Sequence, residues 1–332
     1  MTALTRRRLM VGGIGAALLV PFGLLAAESG LHEHRRSGVA FGTTILLLVL
    51  HEDAALAGRA LDAAFAEIRA VERAMSLFDT GSELSRLNRD GKIASPSGQL
   101  IELLTLSAQM GRLTGGAFDV TVQPYWLAWA GAAKRNRSPG EAELAAAHER
   151  VGADGIVLGT GEVSFARPGM GVTLNGIAQG YATDRVIKVL SGLGIAHALL
   201  DTGEFGVIGD REGHPWSVAI EHPRRPGHYL GEVSPLTGFL ATAGDYATTF
   251  SADFADNHIF DPATGRSPRQ LASATVIAPT GAHADALSTA VMVLGLDKGL
   301  ALLRGLAGAQ GVLVTKDGQI ATTPGAPFRA FA

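Results

Sequence analysis

The sequence predicts an α+β domain in which antiparallel sheets are flanked by helices. Three observations carry this. Apolar runs of strand length outnumber helical repeats, and the two do not alternate as a parallel doubly wound sheet requires. No Gly-rich dinucleotide fingerprint follows a first strand, and no Walker-type lysine motif occurs. The chain closes on a hairpin pattern, Val312 to Thr315 and Gln319 to Thr322 around Asp317-Gly318.

Residues 1–27 read as an export signal. Arg6-Arg7-Arg8 precede an apolar run from Val11 to Ala27 whose hydrophobicity Gly12, Gly13, Gly15 and Pro21 dilute. Arginines followed by Leu9 resemble a twin-arginine leader, which implies a periplasmic location. A retained N-terminal anchor is the competing reading, since the run approaches the ~20 residues that span a bilayer. Residues 28–38 are polar and basic and are expected to be a linker, with one domain over 39–332. Val39 to Leu50 is a strand. Asp53 caps a long helix ending near Leu77, with apolar residues at helical spacing from Leu56 to Met75. Ser82 and Ser97 cap two more helices. Phe118 to Val122 is expected to be a strand, Pro124 to open a short aromatic helix, and Ser138-Pro139 to start a helix running to Arg150. Short strands are expected at Ile156–Leu158, Val163–Phe165 and Val172–Leu174. A helix over Tyr181–Leu190 follows, then strands at His197–Leu200, Trp216–Ile220, Leu230–Val233, Phe239–Thr242 and Ala274–Ala278. Pro279-Thr280-Gly281 breaks the last of these before a helix, and Asp297 caps another to Leu306.

Composition narrows the function. Of 332 residues 47% are hydrophobic, enough for a sizeable core, and the formal charge is -3. No basic stripe carries interleaved aromatics, which argues against a nucleic-acid partner. The chain has no cysteine, so thiolate metal ligands and disulfides are excluded.

The stretch Ser273 to Gly295 concentrates the chemistry. Asp285 and Thr289 stand four apart in a helix and share a face. Near a helix start they suit a hard cation such as Mg²⁺ held together with phosphate oxygens. The same residue types also serve as dipole complement and caps, and this stretch alone does not choose. Gly176 to Gly180 bares backbone to a ligand or metal, or is simply a tight strand-to-helix connection. His258 is either a structural hydrogen-bonder or a proton carrier titrating near neutrality. The other histidines lack zinc-type spacing, and no G-x-S-x-G elbow supports Ser-His-Asp hydrolysis. Phe78 and Phe118 lie by turns where a ring can stack on a flat ligand; core packing is the other reading.

Taken in order, MSLFDTGSELSRLN, GAFDVTVQP, LNGIAQGYATDR, ATAGDY, HIFDPATGRSP and SATVIAPTGAHADALSTAVMVLG resemble the FAD:protein FMN transferase family, known as ApbE. The resemblance runs from Val39 to the C-terminal hairpin and implies that family's T-fold-related mixed fold. It implies FAD as substrate, split at its pyrophosphate. FMN is joined through phosphate to a Thr or Ser hydroxyl of an exported acceptor flavoprotein, and AMP leaves. By match of motif, Asp285, Thr289 and the backbone carbonyl of Gly176 would bind Mg²⁺, Ser288 would touch the nucleotide or order the site, and His258 would be the base. Phe41, Phe78, Ala117, Phe118, Asp119 and Phe260 fall at flavin-contact positions, and Asp245 and Tyr246 would shape the site. Thr173 and Gln179 fall at further cofactor positions but depart from the family, where Asp and Lys are usual; the two changes remove opposite charges together. Glu204 replaces the second Gly of a Gly-Gly pair. The LNGIAQGYATDR form and the leader further resemble the NosX branch, associated with maturing the flavoprotein NosR. Two other functions draw on the same features: a FAD pyrophosphatase releasing FMN and AMP to water, and a non-enzymatic flavin-binding or assembly protein.

Overall fold

The computed structural model describes residues 30–331, so the leader expected over 1–27 lies outside the described residues. The chain opens with a hairpin of β1 (His32–Ala40) and β2 (Thr43–His51). Helix α1 (Ala54–Met75) begins where the Asp53 carboxylate accepts from the N–H groups of Ala55 and Leu56, and it buries a stripe from Ala57 to Met75. Then come α2 (Glu83–Asp90), β3 (Lys92–Ala94), α3 (Gly98–Leu113), α4 (Gln123–Ala133), α5 (Glu141–His148), β4 (Ile156–Gly159) and β5 (Glu162–Phe165). The Ser82 and Ser97 hydroxyls cap α2 and α3 as expected. Helix α6 (Ala178–Gly192) leads to β6 (His197–Asp201) and β7 (Phe205–Ile208), then β8 (Val218–Glu221) and β9 (Tyr229–Val233). The chain finishes with β10 (Phe239–Gly244), β11 (Leu271–Ala278), α7 (Gly281–Arg304), β12 (Gln310–Thr315), β13 (Ile320–Thr322) and β14 (Phe328–Ala330).

Eight strands form the central sheet in the order β1-β2-β6-β7-β10-β11-β12-β13, every neighbouring pair antiparallel. Two three-stranded antiparallel sheets, β14-β9-β8 and β3-β5-β4, complete the α+β architecture. Strand β11 is buried along its whole length. Ala274, Val276 and Ala278 join the core shared with α7, while Ile277 joins Trp216, Val218 and Leu240 in a second core. One row of the register aligns Leu46, Asp201, Phe205, Leu240 and Ile277 across five strands. The Phe41 turn, the 202–204 loop and Asp245 therefore gather beyond the same edge of that row.

Helix α7 is long and apolar enough to cross a membrane, yet half of its apolar window is buried in the protein. It is also broken: Gly295 stands at φ 76°, ψ -172°, and the freed Leu296 N–H is taken up by the Gln270 side chain at 3.0 Å. The second helix expected from Asp297 is the segment beyond this break.

Several expectations are corrected. Residues 28–38 are not a linker from His32 onward, because that segment is the edge strand β1, registered residue for residue on β2. Charged side chains on an edge strand keep it from pairing with other chains, and they give it the composition of a linker. Phe118 to Val122 is not a strand. The Asp119 carboxylate draws in the Thr121 N–H and hydroxyl at 2.7 and 2.6 Å and bends the chain into a turn. Val172 to Leu174 is irregular because the Asn88 amide satisfies both the N–H and the carbonyl of Val172, in place of a neighbouring strand. The helix expected from Ser138 starts only at Glu141, where the Glu143 carboxylate accepts from the Gly140 N–H. Strands β3, β7 and β14 carry three to four residues each and were not expected.

Candidate active site

The site grows from the crossing of two helix starts. Near the N-terminus of α6, Gly180 packs against Gly281 at the start of α7. A Cβ on Gly180 would stand 2.1 Å from the Gly281 carbonyl oxygen, so no larger residue fits without parting the helices. Each helix then caps the other. Asp184 of α6 accepts from the N–H groups of Gly281 and Ala282 at 2.7 and 2.9 Å, and Asp285 of α7 accepts from the Gly180 N–H through Oδ2 at 3.0 Å. The capping alternative for Asp285 is thus partly realised, but its partner is the neighbouring helix.

One turn further along α7, Thr289 faces Gly176. A Cβ on Gly176 would lie 2.9 Å from Thr289 Oγ1 and 3.5 Å from the Phe118 ring. Asp285 Oδ1 and Thr289 Oγ1 have no hydrogen-bond partner among the described residues. A carboxylate oxygen and a hydroxyl oxygen without partners share a helix face, with bare backbone at Gly176 against the hydroxyl, and such oxygen donors suit a hard cation. Among the described residues no three His, Asp or Glu side chains converge as a metal cage. The set would therefore offer a cation one carboxylate and neutral oxygens, and would leave coordination positions for phosphate. Ser288 is buried and donates to the Asp285 carbonyl at 2.7 Å, so it fixes the turn that carries Asp285.

The surroundings are rich in buried acids. Burial pushes the Asp285 carboxyl well above the usual range, with nearby Asp184 adding to it and the Gly180 N–H opposing. Burial likewise raises Asp184 and Asp201 to about 6. Glu204, buried and accepting from the Thr242 N–H at 3.2 Å, is also pushed up, by burial first and then by Asp285. The Gln179 amide donates to the Thr202 carbonyl at 3.3 Å and lies across Gly203, which places it on the 201–204 loop.

His258 stands on a separate loop. Its backbone N–H donates to the Thr248 carbonyl at 3.0 Å and Nδ1 lies 3.2 Å from the same oxygen. A carbonyl only accepts, so Nδ1 carries the proton and Nε2 presents a lone pair. Burial holds the imidazole below its ordinary value, which keeps Nε2 able to accept.

The aromatic positions divide. Phe78 is 64% exposed just after α1, open to stack on a planar ligand. Phe41 sits in the β1–β2 turn at φ 54°, and its N–H donates to Glu72 at 2.8 Å. An aromatic residue there is strained, and strain of this kind gathers at ligand sites. Ala117 and Phe118 are buried rather than open, and the Phe118 ring lies against Gly176. The Asp119 oxygens are occupied by Thr121 and the Ala153 N–H. Phe260 packs among Tyr125, Trp129 and Phe250, with ring centroids 6.2 to 6.4 Å apart, and is 4% exposed. Thr173 hydrogen-bonds through its N–H to the Val120 carbonyl at 2.8 Å, next to the Gly176 turn.

The profile of the ApbE family matches residues 41–313, most of the described chain. The chain belongs to the ApbE family. Among its relatives, the FAD:protein FMN transferase of Haemophilus influenzae is 34% identical over 310 residues, covering 88% of this chain and 89% of that protein. The FAD:protein FMN transferase of Escherichia coli K12 is 30% identical over 282 residues, covering 80% and 79%. Two solved structures share the fold. The flavin transferase ApbE of Vibrio cholerae superposes with a TM-score of 0.77 at 27% identity, over 89% of this chain and 98% of that one. The ApbE protein of Thermotoga maritima superposes at 0.80 and 26% identity, over 88% and 97%.

Sequence reasoning missed three residues around this ApbE site. Asp184 lies inside the LNGIAQGYATDR motif, but its partners Gly281 and Ala282 are almost a hundred positions away. Arg224 and Lys316 both reach Asp245, and neither sits in a motif of its own.

Proposed function

We propose that this protein is a Mg²⁺-dependent FAD:protein FMN transferase. The observation that carries the reading is the pairing of the Asp285–Thr289 face with Gly176, in a chain of the ApbE family. Asp285 Oδ1, Thr289 Oγ1 and the Gly176 carbonyl would hold Mg²⁺, which supplies neutralisation of the pyrophosphate charge when bound. Exposed Phe78 and strained Phe41 support a role in stacking on the isoalloxazine ring. His258 accepts the proton of an acceptor Thr or Ser hydroxyl at Nε2. That hydroxyl oxygen bonds to the phosphorus of the FMN half and stays in the new phosphoester, the bond from that phosphorus to the bridging pyrophosphate oxygen breaks, and AMP leaves carrying the bridging oxygen. The acceptor is an exported flavoprotein, and the arginine-bearing leader over 1–27 supports action in the periplasm. A place in the NosX-like branch is supported by the LNGIAQGYATDR form and that leader.

The deciding experiment is the intact mass of a Thr-bearing acceptor domain after incubation with the protein, FAD and Mg²⁺, beside an EDTA control. A metal-dependent gain of one FMN is the expected result. FMN and AMP released with no adduct on several acceptors would replace transfer by hydrolysis. Intact FAD throughout would remove the catalytic reading. Cell fractionation of the full chain tests the periplasmic location.

A further inference from the structure

Asp245, just past β10, is fully buried, and two cations meet it. Arg224, from the turn after β8, binds it through both terminal nitrogens at 2.7 and 2.8 Å, and Lys316, from the β12–β13 turn, lies 3.2 Å away. Both cations also reach the loop that carries His258. The Arg224 guanidinium stands 4.4 Å from the centre of the Phe254 ring, and Lys316 Nζ donates to the Phe254 carbonyl at 2.8 Å. Phe254 is held at φ 60°, a conformation that an aromatic residue adopts only when its surroundings enforce it. Four residues on, His258 is tied to the Thr248 carbonyl.

We propose that Arg224 and Lys316 are positioning residues for His258: they lock Asp245 into a closed ion triad and fix the Phe254 turn. With Asp245 held by both cations, the His258 imidazole keeps Nε2 free for substrate instead of pairing with that carboxylate. The proposal rests on the reading of His258 as the base. A buried carboxylate stripped of its partner is costly and captures the nearest group able to carry charge. Asp245 already acts on His258, raising its basicity against the effect of burial. The acids nearest His258 in the chain are engaged elsewhere. Asp253 accepts from Ser251, Asp256 pairs with Arg269, and Asp261 accepts from the Ala263 N–H. Without Arg224, Asp245 keeps only Lys316 and turns toward His258, which shifts the imidazole toward its protonated form.

The test compares full-length wild type with Arg224→Met, Lys316→Met, His258→Ala and the double variant Arg224→Met/Asp245→Asn. The first readout needs no turnover: His258 is titrated by NMR of its imidazole Cε1–H, assigned as the resonance missing from His258→Ala. Arg224→Met should raise the midpoint by about one pH unit or more, and adding Asp245→Asn should bring it back. The acidic limb of the pH–rate profile for AMP release should move the same way, with the KM for FAD unchanged. A role in packing alone would lower the rate without moving either midpoint. An unmoved midpoint in folded Arg224→Met, or no return in the double variant, overturns the proposal. Should Arg224→Met fail to fold, Lys316→Met carries the same comparison with a smaller shift. If the midpoint moves while His258→Ala keeps the wild-type rate, the clamp stands and the assignment of the base falls.

Discussion

In the proposed site Asp285 would serve two ends with its two oxygens, and a substitution separates them. Oδ2 accepts from the Gly180 N–H, and Oδ1 is left for the proposed cation. Asp285→Asn keeps an acceptor for Gly180 and removes the charge. The variant should fold, lose at least about 100-fold in transfer, and show no rise in Tm with Mg²⁺, read by acceptor mass and thermal scans. Retained Mg²⁺-dependent transfer would move the cation elsewhere. His258→Ala acts on a different step. Flavin fluorescence should report unchanged FAD binding, while turnover falls by roughly 10²–10⁴-fold, as removal of a positioned base predicts. Loss of binding would instead make His258 part of the flavin pocket. Phe260 teaches the opposite lesson. Its place in HIFDP marks it for flavin contact, but its ring is filled by Tyr125, Trp129 and Phe250, so Phe260→Leu should cost stability before it costs affinity.

At the scale of elements, the site depends on two helices that start against each other. Gly180→Ala forces a methyl toward the Gly281 carbonyl, 2.1 Å from its ideal position. The helices must part, which should cost about 1–3 kcal/mol in a denaturant titration and displace Asp285 with them. Unchanged stability and activity would mean that the crossing is looser than it stands here. The sequence could show that Asp285 and Thr289 share a face, because that is a property of one helix. It could not show that Gly176 meets Thr289, or that Asp184 caps α7, because both contacts join segments about a hundred residues apart. Caps at Asp53, Ser82 and Ser97 were legible for the same local reason. Strand β1 was not, since what makes it a strand is its partner β2, and its own composition is that of a loop. At Val172 the expected strand partner was replaced by a single asparagine, which no period in the sequence signals.

At the scale of the whole molecule, the buried acids link folding to pH and to the cation. Asp184 and Asp201 are raised to about 6 by burial, above their value in the unfolded chain near 3.8. Groups raised in this way bind more protons folded than unfolded. Their stabilising contribution is therefore complete below about pH 4 and is lost as pH rises through about 6. Asp285 and Glu204, raised in the same direction, extend the loss toward neutrality. Glu143, which its hydrogen bond to Arg137 holds down at about 2, works the other way, with stability lost as pH falls below the ordinary carboxylate range; it is exposed, so its weight is small. In EDTA, then, Tm should fall between pH 5 and pH 7. A cation at Asp285 binds the ionised form and reverses the loss. At 100-fold above its Kd it adds about 2.7 kcal/mol, which for a domain of this size is a rise of roughly 5 °C. That rise should be larger at pH 7.5 than at pH 5, where protons compete for the same carboxylate. Thermal scans from pH 4.5 to 8, with EDTA and with Mg²⁺, give both slopes in one experiment. A flat profile in EDTA would show that the buried acids do not govern folding, and an equal Mg²⁺ effect at both pH values would place the cation away from Asp285.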